Sequence, residues 1–298
     1  MHDLDAVLPP QDIIARIDAR TRRIVTPCGD GEMVWRLWGE GPPLVLLHGN
    51  FGSWMHWIRN VEPLAERFSM IVPDTPGFGD SAMPPDRSTP GAIAKVVAQG
   101  IADIVPPDQS FFVAGFSYGG RLASEIALLM PGRVRTLVVV APGGLGIADV
   151  SGAPRAKLRP HMTPAEVAEV HRENLVQLMI ADPAAVDGLA VHIQDVNTQR
   201  ARFRLSAWTK DDLMSSTARA LEQVRVPVKG IWSDRDAFAG ETRADRMAVV
   251  QAMHPAADIR LLDGAGHWMQ YEAPARFNAL LAEMLGLHGL ADQVRERR

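Results

Sequence analysis

The chain has 298 residues, enough for one large α/β domain with an insertion or for two ordinary domains. With 47% hydrophobic and 22% charged residues it has the balance of a globular protein, and a net charge of -4 gives no electrostatic case for nucleic acid or an anionic membrane surface. A single cysteine, Cys28, excludes an intramolecular disulfide and a cysteine-rich metal site.

In chain order, the opening "MHDLDAVLPP" lacks the basic and apolar regions of a secretory leader, so a cytoplasmic location is expected. Arg20, Arg22 and Arg23, like the terminal Arg295, Arg297 and Arg298, read as solvated charge. Residues 22–25 and 33–38 flank the turn-rich "PCGDGE" and predict an antiparallel hairpin at a sheet edge. Short, nearly continuous apolar runs then follow at 44–48 (LVLLH), 68–73 (FSMIVP), 111–115 (FFVAG) and 134–141 (VRTLVVVA). Two more lie at 226–232 (VPVKGIW) and 258–262 (DIRLL). Runs that do not alternate fit strands buried on both faces of a parallel sheet, and the stretches between them are helix-length.

The β–α rhythm breaks between 143 and 224. Thr163, Pro164 and Glu166 there form a helix start with a capping box, followed by Val167, Val170, Leu175, Leu178 and Met179 at helical spacing. A second amphipathic stretch covers 183–205. The predicted organisation is a core domain of residues 1–142 and 225–298 carrying a helical cap, 143–224. No uninterrupted apolar stretch approaches a membrane span.

The chemistry centres on "VAGFSYGG", where Gly115, Ser117 and Gly119 match G-x-S-x-G between a predicted strand and a predicted helix. Such a corner forces the serine into a strained backbone conformation that only small neighbours permit, and it lifts Oγ above the sheet edge. A serine needs a base to take its proton and a third group to orient that base. The loop after 226–232 offers Asp234 and Asp236, of which Asp236 lies deeper and is taken as the acid, with Asp234 as the alternative. The loop after 258–262, "DGAGHW", offers His267. In "LLHGNFGSW" a strand ends in His-Gly, so the amides of Asn50 and Tyr118 are the expected oxyanion donors. His48 is expected to brace the loop.

These residues resemble the α/β-hydrolase superfamily over most of the chain's length. The resemblance implies an α/β fold with a mostly parallel central sheet, helices on both faces and a helical cap insertion. Beyond the triad, "HWIRNVEPLAERFSMIVPDTPGFGDS" and "GAGHWMQYEAPARFN" are similar to segments of the meta-cleavage-product hydrolases, which split a C–C bond in ring-opened aromatic compounds. That resemblance implies that Trp268 lines the substrate pocket, with Phe51 and Phe116 near it and a cap arginine, Arg200 or Arg202, holding substrate. The family usually has Asn where this chain has Phe116.

The expected activity is therefore serine hydrolysis of a small ester, lactone or similar activated carbonyl. C–C hydrolysis of a ring-fission product is the first alternative, and a non-hydrolytic ligand-binding protein or cofactor-free oxygenase the second. Neither a cofactor nor a metal is expected: there is no H-E-x-x-H, no lysine follows a glycine as a P-loop requires, and "GLGIAD" is an incomplete dinucleotide fingerprint. The expected partner is a small-molecule substrate, with no nucleic acid and no membrane; a homodimer is left open.

Overall fold

The structure, a computed structural model, describes residues 8–149 and 155–286. Residues 150–154 of the expected cap and the arginines 295, 297 and 298 lie outside them. Helix α1 (Pro10–Asp18) precedes the hairpin β1 (Arg22–Cys28) and β2 (Gly31–Trp38), and β3 (Pro43–Leu47), α2 (Val61–Ala65) and β4 (Ser69–Pro73) follow. Next come α3 (Pro90–Ile104), β5 (Phe111–Phe116), α4 (Tyr118–Leu129) and β6 (Val134–Val140). Three helices, α5 (Pro164–Leu178), α6 (Gly188–Arg200) and α7 (Lys210–Gln223), then intervene before β7 (Val228–Ser233). The described residues end with α8 (Arg243–Met253), β8 (Asp258–Leu262), α9 (Met269–Glu272) and α10 (Pro274–Met284).

Among the described residues the strands form one eight-stranded sheet of order β1-β2-β4-β3-β5-β6-β7-β8. From β4 to β8 every neighbouring pair is parallel, and the hairpin joins antiparallel through β2 on β4. All residues of β3 and β5 are buried, because helices cover both faces there and leave no solvent side on which polar residues could alternate. β8 is the exception. As the edge strand it keeps only Leu262 buried and carries charge on Asp258 and Arg260, which blunts further pairing.

Between β6 and β7 the helices divide in two. α5 packs against α6, whereas α7 packs on α4 and α8, as a crossover helix of the sheet does. Thr163 and Glu166 make the reciprocal cap bonds at the start of α5. Among the described residues no helix is long and apolar enough to cross a membrane.

The parallel strands all end at one rim. β3 delivers Gly49 and Asn50, β5 delivers Ser117, β7 leads to Asp236 and β8 to His267. Ligands of open α/β sheets bind outside such carboxyl ends.

Candidate active site

Ser117 sits at φ 52°, ψ -111°, between the last residue of β5 and the first of α4. A non-glycine residue at positive φ is strained by about 1–3 kcal/mol, and its neighbours explain how it is held. A Cβ on Gly115 would lie 2.1 Å from the Gly119 carbonyl oxygen, and one on Gly119 would lie 2.3 Å from the Leu47 oxygen. The elbow therefore closes only where both positions lack side chains. The Ser117 amide donates to the Val140 oxygen at 2.8 Å, which anchors the corner to β6.

His267 and Asp236 meet directly: Nδ1 lies 2.8 Å from Oδ2, with both side chains nearly fully buried. The other Asp236 oxygen accepts the Phe238 amide at 2.8 Å and the Ala239 amide at 3.4 Å. Burial alone would raise this carboxyl, but the His267 ring and those amides outweigh it and hold it below its ordinary range. An ionised Asp236 accepts the Nδ1 proton of His267 in a hydrogen bond, which leaves Nε2 as the basic nitrogen. The ring is wedged between Phe116 and Phe238, with centroids 4.9 and 4.6 Å away. Ser117 Oγ makes no hydrogen bond among the described residues, but Ser117 and His267 border the same cavity of about 210 Å³. Asp234 serves the loops instead. Its Oδ1 accepts the Gly264 amide and ties the β7 loop to the β8 loop.

Asn50 and Tyr118 border that cavity too. The Tyr118 amide is in the first turn of α4, where no intrahelical acceptor exists. His48 braces the loop, with Nδ1 2.8 Å from the Gly49 oxygen and Nε2 accepting the Thr75 amide at 2.9 Å. Phe51, at φ 52°, and Phe116 line the cavity.

Three expected substrate contacts lie elsewhere. Trp268 is fully buried behind the His56 wall, where its indole N–H donates to the His56 oxygen at 2.9 Å and its ring stacks on Tyr271. Arg200 pairs with Asp80 at 2.7 Å, and Arg202 donates to the Gly79 and Ser81 oxygens. Both arginines follow from the end of α6 lying over the 79–81 loop, away from the cavity.

Sequence reasoning missed several wall residues. Leu175, Leu178, Met179 and Gln194 come from α5, its C-cap and α6, and Trp232 and Phe238 from the β7 end. Two nearly buried arginines, Arg121 and Arg246, add charge. Arg121 donates to the Asp212 and Leu213 oxygens and to Ser216 Oγ, stitching α4 to α7, and burial lowers it to about 10. His56 is also in the wall; its Nδ1 accepts the Gly49 amide at 3.2 Å, so the ring proton resides on Nε2. Burial, then the neighbouring His48 and His267 rings, depress its basicity well below that of a free imidazole, so it is neutral at neutral pH. Only Arg121, one helical turn beyond Ser117, carried a sequence signal for its place.

Strain stored in a serine elbow beside a buried His–Asp pair, on the rim of a mostly parallel sheet, is the construction of an α/β hydrolase. The chain belongs to the alpha/beta hydrolase family, whose sequence profile matches residues 44–280. It is 26% identical over 266 residues to a 2-hydroxy-6-oxo-6-phenylhexa-2,4-dienoate hydrolase of Burkholderia cepacia, covering 83% of this chain and 88% of that one. It is 29% identical over 270 residues to the dihydrolipoyllysine-residue acetyltransferase component of the acetoin cleaving system of Pseudomonas putida; the match takes in 85% of this chain and 66% of that longer protein. Among solved structures, the carboxylesterase CesB of Bacillus subtilis superposes with a TM-score of 0.72 at 18% identity, covering 93% of this chain and 98% of that one.

Proposed function

We propose that the protein is a serine hydrolase that cleaves a small carboxylic ester, lactone or similarly activated carbonyl through an acyl-enzyme. The observation that carries this reading is the 2.8 Å His267–Asp236 contact on the wall of the cavity that also holds Ser117. His267 Nε2 takes the Oγ proton as Ser117 attacks the carbonyl carbon. The negative charge that develops on the carbonyl oxygen is met by the Asn50 and Tyr118 amides, each donor of this kind contributing about 3 kcal/mol. His267 passes the proton to the departing alcohol, and the acyl group stays on Oγ. Water then gives His267 a proton, attacks the ester and releases the acid, restoring Ser117.

Helices α5 and α6 act as the cap, whereas α7, which packs on α4 and α8, belongs to the core. Leu175, Leu178 and Met179 close the cavity over Ser117 and exclude bulk water, so they select the acyl group. A cavity of about 210 Å³ suits a small molecule.

C–C hydrolysis of a vinylogous diketone is the second reading, favoured by the Burkholderia relative and by the cationic wall of Arg121 and Arg246. Phe116, a ring where an amide would be expected to contact such a substrate, favours the ester.

A screen of nitrophenyl acyl esters, lactones and ring-fission dienoates separates the two. Ester turnover that disappears in Ser117→Ala, with the variant's circular dichroism unchanged, is the expected result. Wild-type rates in Ser117→Ala would end the proposal, and bleaching of the dienoate without ester turnover would replace it with the second reading.

A further inference from the structure

The His267 loop is held from outside itself. The Gly266 amide donates to Glu272 Oε2 at 2.7 Å, and the Trp268 amide donates to the Met179 oxygen at 2.7 Å. The amides of both chain neighbours of His267 are thus fixed, one by the last residue of α9 and the other by the C-cap residue of α5. Glu272 takes two further amides, from Ala181 at 3.0 Å on Oε2 and from Asp182 at 2.8 Å on Oε1. One carboxylate therefore gathers three N–H groups from two chain segments far apart in sequence. The segments approach so closely that a Cβ on Gly266 would lie 2.7 Å from the Ala181 nitrogen and 2.8 Å from the Met179 oxygen. The same stretch forms cavity wall through Leu178 and Met179.

We infer that Glu272 is a positioning residue for His267, clamping its loop to the turn after α5 so that this end of the cap and the base move as one body. This rests on the reading of His267 as the catalytic base. An ionised carboxylate can accept all three amides at once, whereas an amide side chain has one oxygen and would turn its NH₂ group against one of the donors. Losing the clamp frees the loop by a fraction of an ångström, and small misplacement of a reacting group slows the reaction sharply while weakening substrate binding little.

The test uses the full chain with Glu272→Gln and Glu272→Ala, and reads kcat and KM for a nitrophenyl ester beside the rate at which a fluorophosphonate labels Ser117. The expected outcome for Glu272→Gln is a fall in kcat and in labelling rate of about 10- to 100-fold with KM within about twofold. Gly266→Ala, which wedges the seam from the other side, is expected to show the same split and keeps the test open if Glu272→Ala does not fold. Thr163→Ala, which weakens the start of α5 far from the seam, is expected to leave kcat unchanged and serves as the control for general destabilisation. Labelling of Glu272→Gln at the wild-type rate, or a change confined to KM, would overturn the inference alone. A wild-type protein that labels at another residue, or not at all, would overturn it together with the reading of His267 as the base.

Discussion

At Ser117 the backbone takes the strained shape that the surrounding glycines announce. A φ of 52° is tolerated there because Gly115 and Gly119 let β5, the β3 end and α4 pass within backbone contact. Gly115→Ala would place its methyl 2.1 Å from a carbonyl oxygen that cannot swing away. A loss of about 3 kcal/mol or more is expected, and a lower urea midpoint at unchanged m-value checks it. The motif was legible because strand, turn and helix are consecutive in the chain. Trp268 and the two arginines were expected in the pocket and lie outside it because their positions depend on packing partners distant in sequence. The His56 oxygen draws the indole behind the cavity wall, and Asp80 and the 79–81 loop draw the guanidiniums away. His56 gave no signal for the same reason, since its neighbours Phe116 and Trp268 lie far along the chain.

Among the elements, the six apolar runs fall within two residues of β3 to β8 and the start of α5 is matched, since an apolar run and a capping box leave local marks. β1 and β2 extend further into the turn than 22–25 and 33–38, and β8 is an exposed edge strand despite its run. The roles of the helices between β6 and β7 were not readable. Periodicity marks a helix but not what it packs on, and α7 turns out to lie against α4 and α8 while α5 and α6 pair with each other. The wall that α5 contributes has a measurable consequence. Leu178 is buried and borders the cavity, so Leu178→Ala enlarges it. A kcat/KM optimum displaced toward longer acyl chains in a nitrophenyl ester series is expected; an unchanged optimum would mean that α5 does not select the substrate. The lost apolar packing should also cost about 2–5 kcal/mol of stability.

For the whole molecule, acid sensitivity follows from two histidines that the fold keeps uncharged. Burial lowers both His48 and His56 from the ordinary 6.5. The unfolded chain therefore binds protons below about pH 6.5 that the folded chain refuses, and stability falls as pH drops through that value. Each histidine adds a slope of up to about 1.4 kcal/mol per pH unit there. Urea titrations on either side of that pH check this, and His56→Asn should flatten the dependence. Asp236 acts in the same direction at lower pH: its depressed carboxyl contributes stability above the ordinary aspartate range, and that contribution is lost as acid protonates it.

All of the proposed chemistry depends on Ser117, and no other nucleophile, being activated at the sheet rim by the His267–Asp236 pair. Mass spectrometry of the intact and digested protein after fluorophosphonate treatment reads this out residue by residue. One adduct per chain, on the peptide containing Ser117 and absent from both Ser117→Ala and His267→Ala, is the expected result. An adduct on any other residue, or undiminished labelling without His267, would contradict it.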